Sequence, residues 1–178
     1  TALAVALRDD NLIRVALDDP QCGYRTLMAK HVYADGWWNE GSPIYHFYPL
    51  GAIVMTADAV RCRNIDLYDQ QLYNKYASPV RGVYHDLPFT AHNDGWYGES
   101  LIAQAGLFEV AYARFRDPLF RDVLAQCYRR AERGGGYALL NPELIAPASV
   151  PMRQESFRFE NAGFALLRSP AATVVLKY

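Results

Sequence analysis

The chain has 178 residues and a formal net charge of -1, from 18 lysines and arginines against 19 acidic residues. That length can bury a core of its own, and so balanced a charge gives no field that would make nucleic acid or a membrane surface the main partner, leaving local charges for a polyanionic sugar. No stretch approaches the ~20 apolar residues of a membrane span. Cys22, Cys62 and Cys127 are widely separated with no C-x-x-C spacing, which argues against a zinc ribbon or redox motif; they read as free and mostly buried, with one bridge in an oxidising compartment as the alternative.

Residues 2–18 mix Leu3, Val5, Leu7, Leu12, Val15 and Leu17 with charges in a helical pattern that breaks near Asp9-Asp10-Asn11 and ends at Asp18-Asp19-Pro20. A short helix over 24–33 leads to the turn Ala34-Asp35-Gly36. Ser42 and Pro43 mark the start of a helix to about residue 63, with Ser42 as cap and Pro at the first position. Pro49 falls inside it and predicts a kink just after Tyr45-His46. The next helix, 66–76, is expected to stop before Ser78-Pro79. Residues 84–95 form the longest irregular stretch, a functional loop or a plain connector. Leu101, Ala105, Phe108, Tyr112 and Phe115 then alternate spacings of four and three, an amphipathic helix. Asp117 caps and Pro118 opens another, ending before Gly134-Gly135-Gly136.

From Tyr137 onward the pattern changes. Pro142, Pro147 and Pro151 exclude a long helix, and 164–167 and 173–176 are strand-like runs on either side of Ser169-Pro170. Helices followed by strands fit two packed domains, 1–136 and 137–178, with a linker between about Gly134 and Glu155. The chain opens without Met inside a helical pattern and closes on an apolar strand, which reads as an internal piece of a longer protein.

Two clusters carry candidate chemistry. Asp35-Gly36-Trp37-Trp38-Asn39-Glu40-Gly41-Ser42-Pro43-Ile44-Tyr45-His46 gathers two indoles, two carboxylates, an amide, a phenol and an imidazole at one loop-to-helix junction. Sugars bind to such mixtures, ring faces on indoles and hydroxyls on polar groups; the alternative is that Trp37 and Trp38 are packed core. Leu87 to Glu99 repeats the residue types with His92, Asn93, Asp94, Trp96 and Tyr97, as if the two were walls of one cleft. Asp94 also fits a turn cap and Trp96 a buried position. His31, His85 and His92 have no metal-ligand spacing and read as surface or loop histidines.

The stretch Asp35-Gly36 to Glu40-Gly41-Ser42-Pro43 and Tyr45-His46 resembles the motif at which heparinase II/III-like polysaccharide lyases, and the related alginate lyases, place a catalytic-site Asn or His. Leu87-Pro88 to Asn93-Asp94 is similar to the loop before their catalytic-tyrosine helix, and 161–168 resembles their first sandwich strand. The resemblance covers 34–178. It implies a mainly α fold, part of an (α/α) toroid followed by the first strands of an antiparallel β-sandwich, and β-elimination at a uronic acid in a secreted or periplasmic enzyme. In that reaction the C5 proton leaves, charge spreads into the C6 carboxylate, and the O4 leaving group is protonated. His46 is then the group that neutralises the carboxylate, or the base opposite the tyrosine. Tyr97 is the acid and a candidate base, with Tyr84 the runner-up. Trp37, Trp38, Asn39, Glu40, Tyr45, Asn93, Asp94 and Trp96 bind substrate.

No cofactor or metal is expected in this stretch; a structural zinc or calcium, with a further histidine, would belong to the sandwich beyond it. The partner is an acidic polysaccharide or oligosaccharide, alginate before heparin or heparan sulfate because the basic residues are scattered, although Arg61, Arg63 and Arg81 could cluster. The rivals are a glycoside hydrolase with Asp35 or Glu40 paired with Asp94 or Glu99, and a non-catalytic carbohydrate-binding or helical interaction module.

Overall fold

A computed structural model of the chain describes residues 1–140, 143–150, 152 and 154–178, so Pro142 and Pro151 lie outside the described residues. Its described part is mainly helical with a small antiparallel sheet.

The expected break in the first helix is present: α1 (Ala2–Ala6) ends before Arg8, whose φ is 56°, and α2 (Asp10–Asp18) starts on Asp9, whose carboxylate accepts the amides of Asn11 and Leu12 at 3.0 Å. Helix α3 (Tyr24–His31) stops two residues short of expectation, because Val32 leaves the helix to bridge Trp38. Helix α4 (Pro43–Arg61) continues as one element through Pro49. Ser42 stands at its cap position, but the hydroxyl caps nothing and is buried without a hydrogen-bond partner among the described residues.

Helix α5 (Gln70–Arg81) departs most from expectation. It starts later, on Asp69, whose carboxylate accepts the Leu72 amide at 2.9 Å, and it runs through Ser78-Pro79 instead of stopping there. A proline inside a helix frees the carbonyl four residues back, here that of Lys75. The ring Nε2 of His46 takes that carbonyl at 2.8 Å, so the helix crosses Pro79 without leaving a buried acceptor unpaired.

The amphipathic pattern from Leu101 becomes a 3-10 turn, Leu101–Gln104, followed by α6 (Ala105–Phe115). Helix α7 (Pro118–Tyr128) is capped as expected: Asp117 accepts the Leu119 amide at 2.8 Å and the Tyr73 hydroxyl at 2.9 Å. It ends short of the glycines, and Gly136 opens a further short helix, α8 (Gly136–Leu140), where no helix was expected. Asp117→Ala removes both bonds and is expected to cost about 1–2 kcal/mol, read as a lower urea midpoint.

Strands β1 (Phe157–Phe159), β2 (Phe164–Arg168) and β3 (Thr173–Lys177) pair antiparallel in that order. The β2–β3 hairpin is the one expected, and its turn closes on Ser169, whose hydroxyl accepts the Ala172 amide at 3.1 Å. Strand β1 precedes the segment read as the first strand and pairs Phe159 with Phe164.

Two cores hold the molecule. The larger packs Phe47, Tyr76, Phe108, Phe120 and Leu124 among the helices. The smaller joins Trp37 to Phe159, Phe164 and Leu166, so it straddles the domain boundary expected at residue 136. Cys127 is buried, but Cys22 and Cys62 are exposed at helix ends, against the expectation of mostly buried thiols; all three are free.

Candidate functional site

The first loop is a compact hairpin. Tyr33 N donates to Trp37 O and Asn39 N to His31 O, both at 2.9 Å. Gly36 makes this possible: its φ is +89°, and a Cβ there would stand 2.1 Å from the Asn74 carbonyl oxygen on α5. The second loop folds on itself through Leu87 N to Tyr84 O and Phe89 N to Glu99 O, with Leu87 and Phe89 buried as anchors.

The two loops meet. Asn93 Nδ2 donates to the Glu40 carbonyl at 3.3 Å, its Oδ1 accepts from Lys177 Nζ of β3, and a Cβ on Gly41 would lie 2.5 Å from that amide nitrogen. Around this junction Asn39, Glu40, Tyr45, Asn93 and Asp94 are exposed, as are Trp96 (71%) and Tyr97 (96%). Tyr84 is half-buried at the turn. The exposed side chains of the two loops thus include three aromatic rings, carboxylates and amides, with the Lys177 cation bound at Asn93, a chemistry suited to sugars.

Other candidates stand beneath that face. Trp37 is fully buried, edge-on to His46 at 4.8 Å and to Phe164 at 5.4 Å; its rings serve the smaller core and offer no platform. Trp38 is nearly buried, stacked on His31 at 5.2 Å. Asp35, a carboxylate of the hydrolase alternative, is an anchor instead: Oδ2 accepts the amides of Asn161 and Ala162 at 2.9 and 3.1 Å, fastening the first loop to the β1–β2 turn.

His46 is wholly buried. Its Nδ1 accepts the Trp38 amide at 3.3 Å while Nε2 faces the Lys75 carbonyl. An amide only donates and a carbonyl only accepts, so these partners fix the tautomer with the proton on Nε2. Burial, and then the charge of Lys75, hold its pKa well below the ordinary histidine value. A neutral, enclosed imidazole with both nitrogens engaged is not displayed to a substrate carboxylate in this structure; it ties the first loop to α5 through the Trp38 amide and the Lys75 carbonyl.

Lys75 was not foreseen. Its Nζ has no hydrogen-bond partner among the described residues and lies 4.7 Å over the Trp38 ring. Its spacing of three from Leu72 puts it on the apolar face of α5, the one signal the sequence carried. His92, read as a surface or loop histidine, is half-buried: it pairs with Thr90 Oγ1, packs 4.8 Å from Phe164, and burial followed by Lys177 lowers its pKa.

Among the described residues no three His, Cys, Asp or Glu side chains gather to hold a metal ion, and no helix is long and apolar enough to cross a membrane. Comparison of the chain with protein-family models, curated proteins and solved structures gives no match.

Proposed function

We propose that the chain is part of a secreted or periplasmic polysaccharide lyase that cleaves a uronic-acid-containing polymer by β-elimination, alginate before heparin or heparan sulfate. On this reading the helices belong to an (α/α) toroid and the sheet opens a sandwich domain. The supporting observation is the junction of the two loops at Glu40 and Asn93, where Lys177 binds Asn93 and the second loop goes on to expose Trp96 and Tyr97. A pyranose ring rests on Trp96, its hydroxyls bond Asn39, Glu40 and Asp94, and Lys177 faces the C6 carboxylate and stabilises charge developing there. The Tyr97 phenol protonates the departing O4 oxygen, and as phenolate it removes the C5 proton; Tyr84 is the alternative group. His46 acts at one remove, through the Trp38 amide.

The test uses the enzyme that carries this chain, incubated separately with alginate, heparan sulfate and a neutral glucan. Elimination leaves an unsaturated uronate that absorbs in the near ultraviolet. A rise on one uronate polymer that falls ~10²-fold or more in Tyr97→Phe is expected. New reducing ends without that absorbance would replace elimination by hydrolysis, and sugar binding undiminished in Tyr97→Phe without any product would leave a binding module.

A further inference from the structure

Lys75 stands on the apolar face of α5, fully buried, its Nζ 4.7 Å over the Trp38 ring and without a hydrogen-bond partner among the described residues. His46 of α4 lies between the same two elements: Nδ1 accepts the Trp38 amide at 3.3 Å, and Nε2 donates to the Lys75 carbonyl at 2.8 Å. Gly36 closes the seat, so near α5 that a Cβ there would stand 3.1 Å from the Lys75 amide nitrogen. The first loop thus rests on one residue of α5 at its side chain, its carbonyl and its amide.

Protonation turns two of these ties against the seat. A neutral imidazole accepts at Nδ1, whereas an imidazolium donates from both nitrogens and sets an N–H against the N–H of Trp38. An ammonium at Lys75 brings three donors to a place with no acceptor, the Trp38 ring being its one favourable contact. The surrounding elements supply no compensating acid. Besides His46 on α4, α3 brings His31, stacked on the Trp38 ring at 5.2 Å, and the second loop brings His92, 6.3 Å from the Trp37 ring. The acids of the first loop turn away, Asp35 to the β1–β2 turn and Glu40 to solvent. On α6, Glu109 is taken by Arg133 and Tyr128; before α7, Asp117 takes the Tyr73 hydroxyl. No carboxylate pairs with Lys75 among the described residues. Burial accordingly lowers the Lys75 pKa from 10.5 to about 7, and burial followed by the Lys75 charge holds that of His46 well below the ordinary value.

We propose that the first loop is an acid-released latch, seated on α5 while His46 and Lys75 are neutral and lifted off it, with Trp38, when they take up protons. Released into water, both groups recover their ordinary basicity. The open loop then binds protons that the seated loop lacks, so opening becomes more favourable as pH falls. Lys75 drives it from 10.5 down to about 7, roughly tenfold per pH unit, and His46 takes over below 6.5. Asn39 and Glu40 ride on this loop, so release withdraws them from the exposed face; that consequence alone rests on the function proposed above, and the release does not.

The experiment is hydrogen exchange of the chain, followed by NMR at the Trp38 amide, the α2 amides and the buried Val123 and Leu124 of α7. An amide freed by a motion that binds no proton exchanges about tenfold faster per pH unit; at Trp38 the proton-linked opening cancels that rise. From about pH 7 to about 8.5 the Trp38 rate is expected to stay level while the α2 amides speed up about tenfold per unit. It should also exceed the rates of Val123 and Leu124, which open with the whole core. Lys75→Met is expected to return the tenfold rise at Trp38 in that window. His46→Gln keeps an acceptor and a donor but does not titrate, and should return the rise between about pH 5 and about 6.5. A tenfold rise per unit at Trp38 in the unaltered chain would overturn the latch whether or not either variant folds. So would a Trp38 rate no faster than those of Val123 and Leu124, or a rate that stays level in either variant across its own window.

Discussion

Lys75→Met is expected to raise the stability of the chain at neutral pH by several kcal/mol, an unusual sign for a substitution in a core. The ammonium is buried, and burial alone pushes its pKa from 10.5 down to about 7. Each unit of that displacement corresponds to ~1.4 kcal/mol; with loss of the cation–π contact to Trp38 set against it, a net gain of about 2–4 kcal/mol is expected. The sign follows from proton counting. Between about 7 and 10.5 the unfolded chain holds a proton on Lys75 that the folded chain has released, so stability rises with pH across that window. Below it the destabilisation is complete. The advantage of Lys75→Met should therefore be constant near pH 6 and shrink toward zero near pH 10.5, measured as the difference in urea midpoint. A variant less stable than the parent, or a difference that does not change with pH, would refute this account of Lys75.

Trp37→Ala should act in the opposite direction, and locally. The indole is fully buried and packs edge-on against His46, Phe159 and Phe164, so truncation opens a cavity at the joint between helices and sheet and is expected to cost about 3–5 kcal/mol. Its Nε1 has no hydrogen-bond partner among the described residues, so Trp37→Phe, which keeps one aromatic ring, leaves a smaller cavity and removes the unpaired donor, should cost less. The loss in Trp37→Ala should fall first on the sheet: amides of β2 are expected to exchange faster than those of α6 and α7. Equal protection across all three elements would mean that the sheet is held by something other than this side chain.

Local chemistry explains what the sequence made legible. Asp9 and Asp117 sit before apolar-periodic runs and cap helices as side chains of their type do, and Ser169-Pro170 lies in the turn between two strand-like runs. Where the reading failed, the deciding partner is distant. Ser78-Pro79 reads as a stop, but α5 continues, and the carbonyl that Pro79 frees is bonded by His46, 29 positions away from Lys75. The tryptophans show the same limit. An indole suits a sugar platform and a packed core equally, and only Phe159 and Phe164, far along the chain, place Trp37 in a core, whereas Trp96, in a similar loop, stays 71% exposed. The shared residue types of the two loops point to their meeting, which Asn93 makes by donating to the Glu40 carbonyl; Lys177, which ties Asn93 to β3, lies on a strand with no such mark.

The anchor between the first loop and the sheet also sets a timetable. Asp35 and the Asn161 amide it binds are 126 positions apart. At ~5–20 residues per second a ribosome needs roughly 6–25 s to cross that interval, long against the microseconds to seconds in which helices and small helical bodies form. Trp37 is therefore born early and covered late. For those seconds its indole and the Gly36 hairpin stand open beside an otherwise assembling core, so the nascent chain presents a transient apolar surface that chaperones can grip and that vanishes only when β1 and β2 emerge.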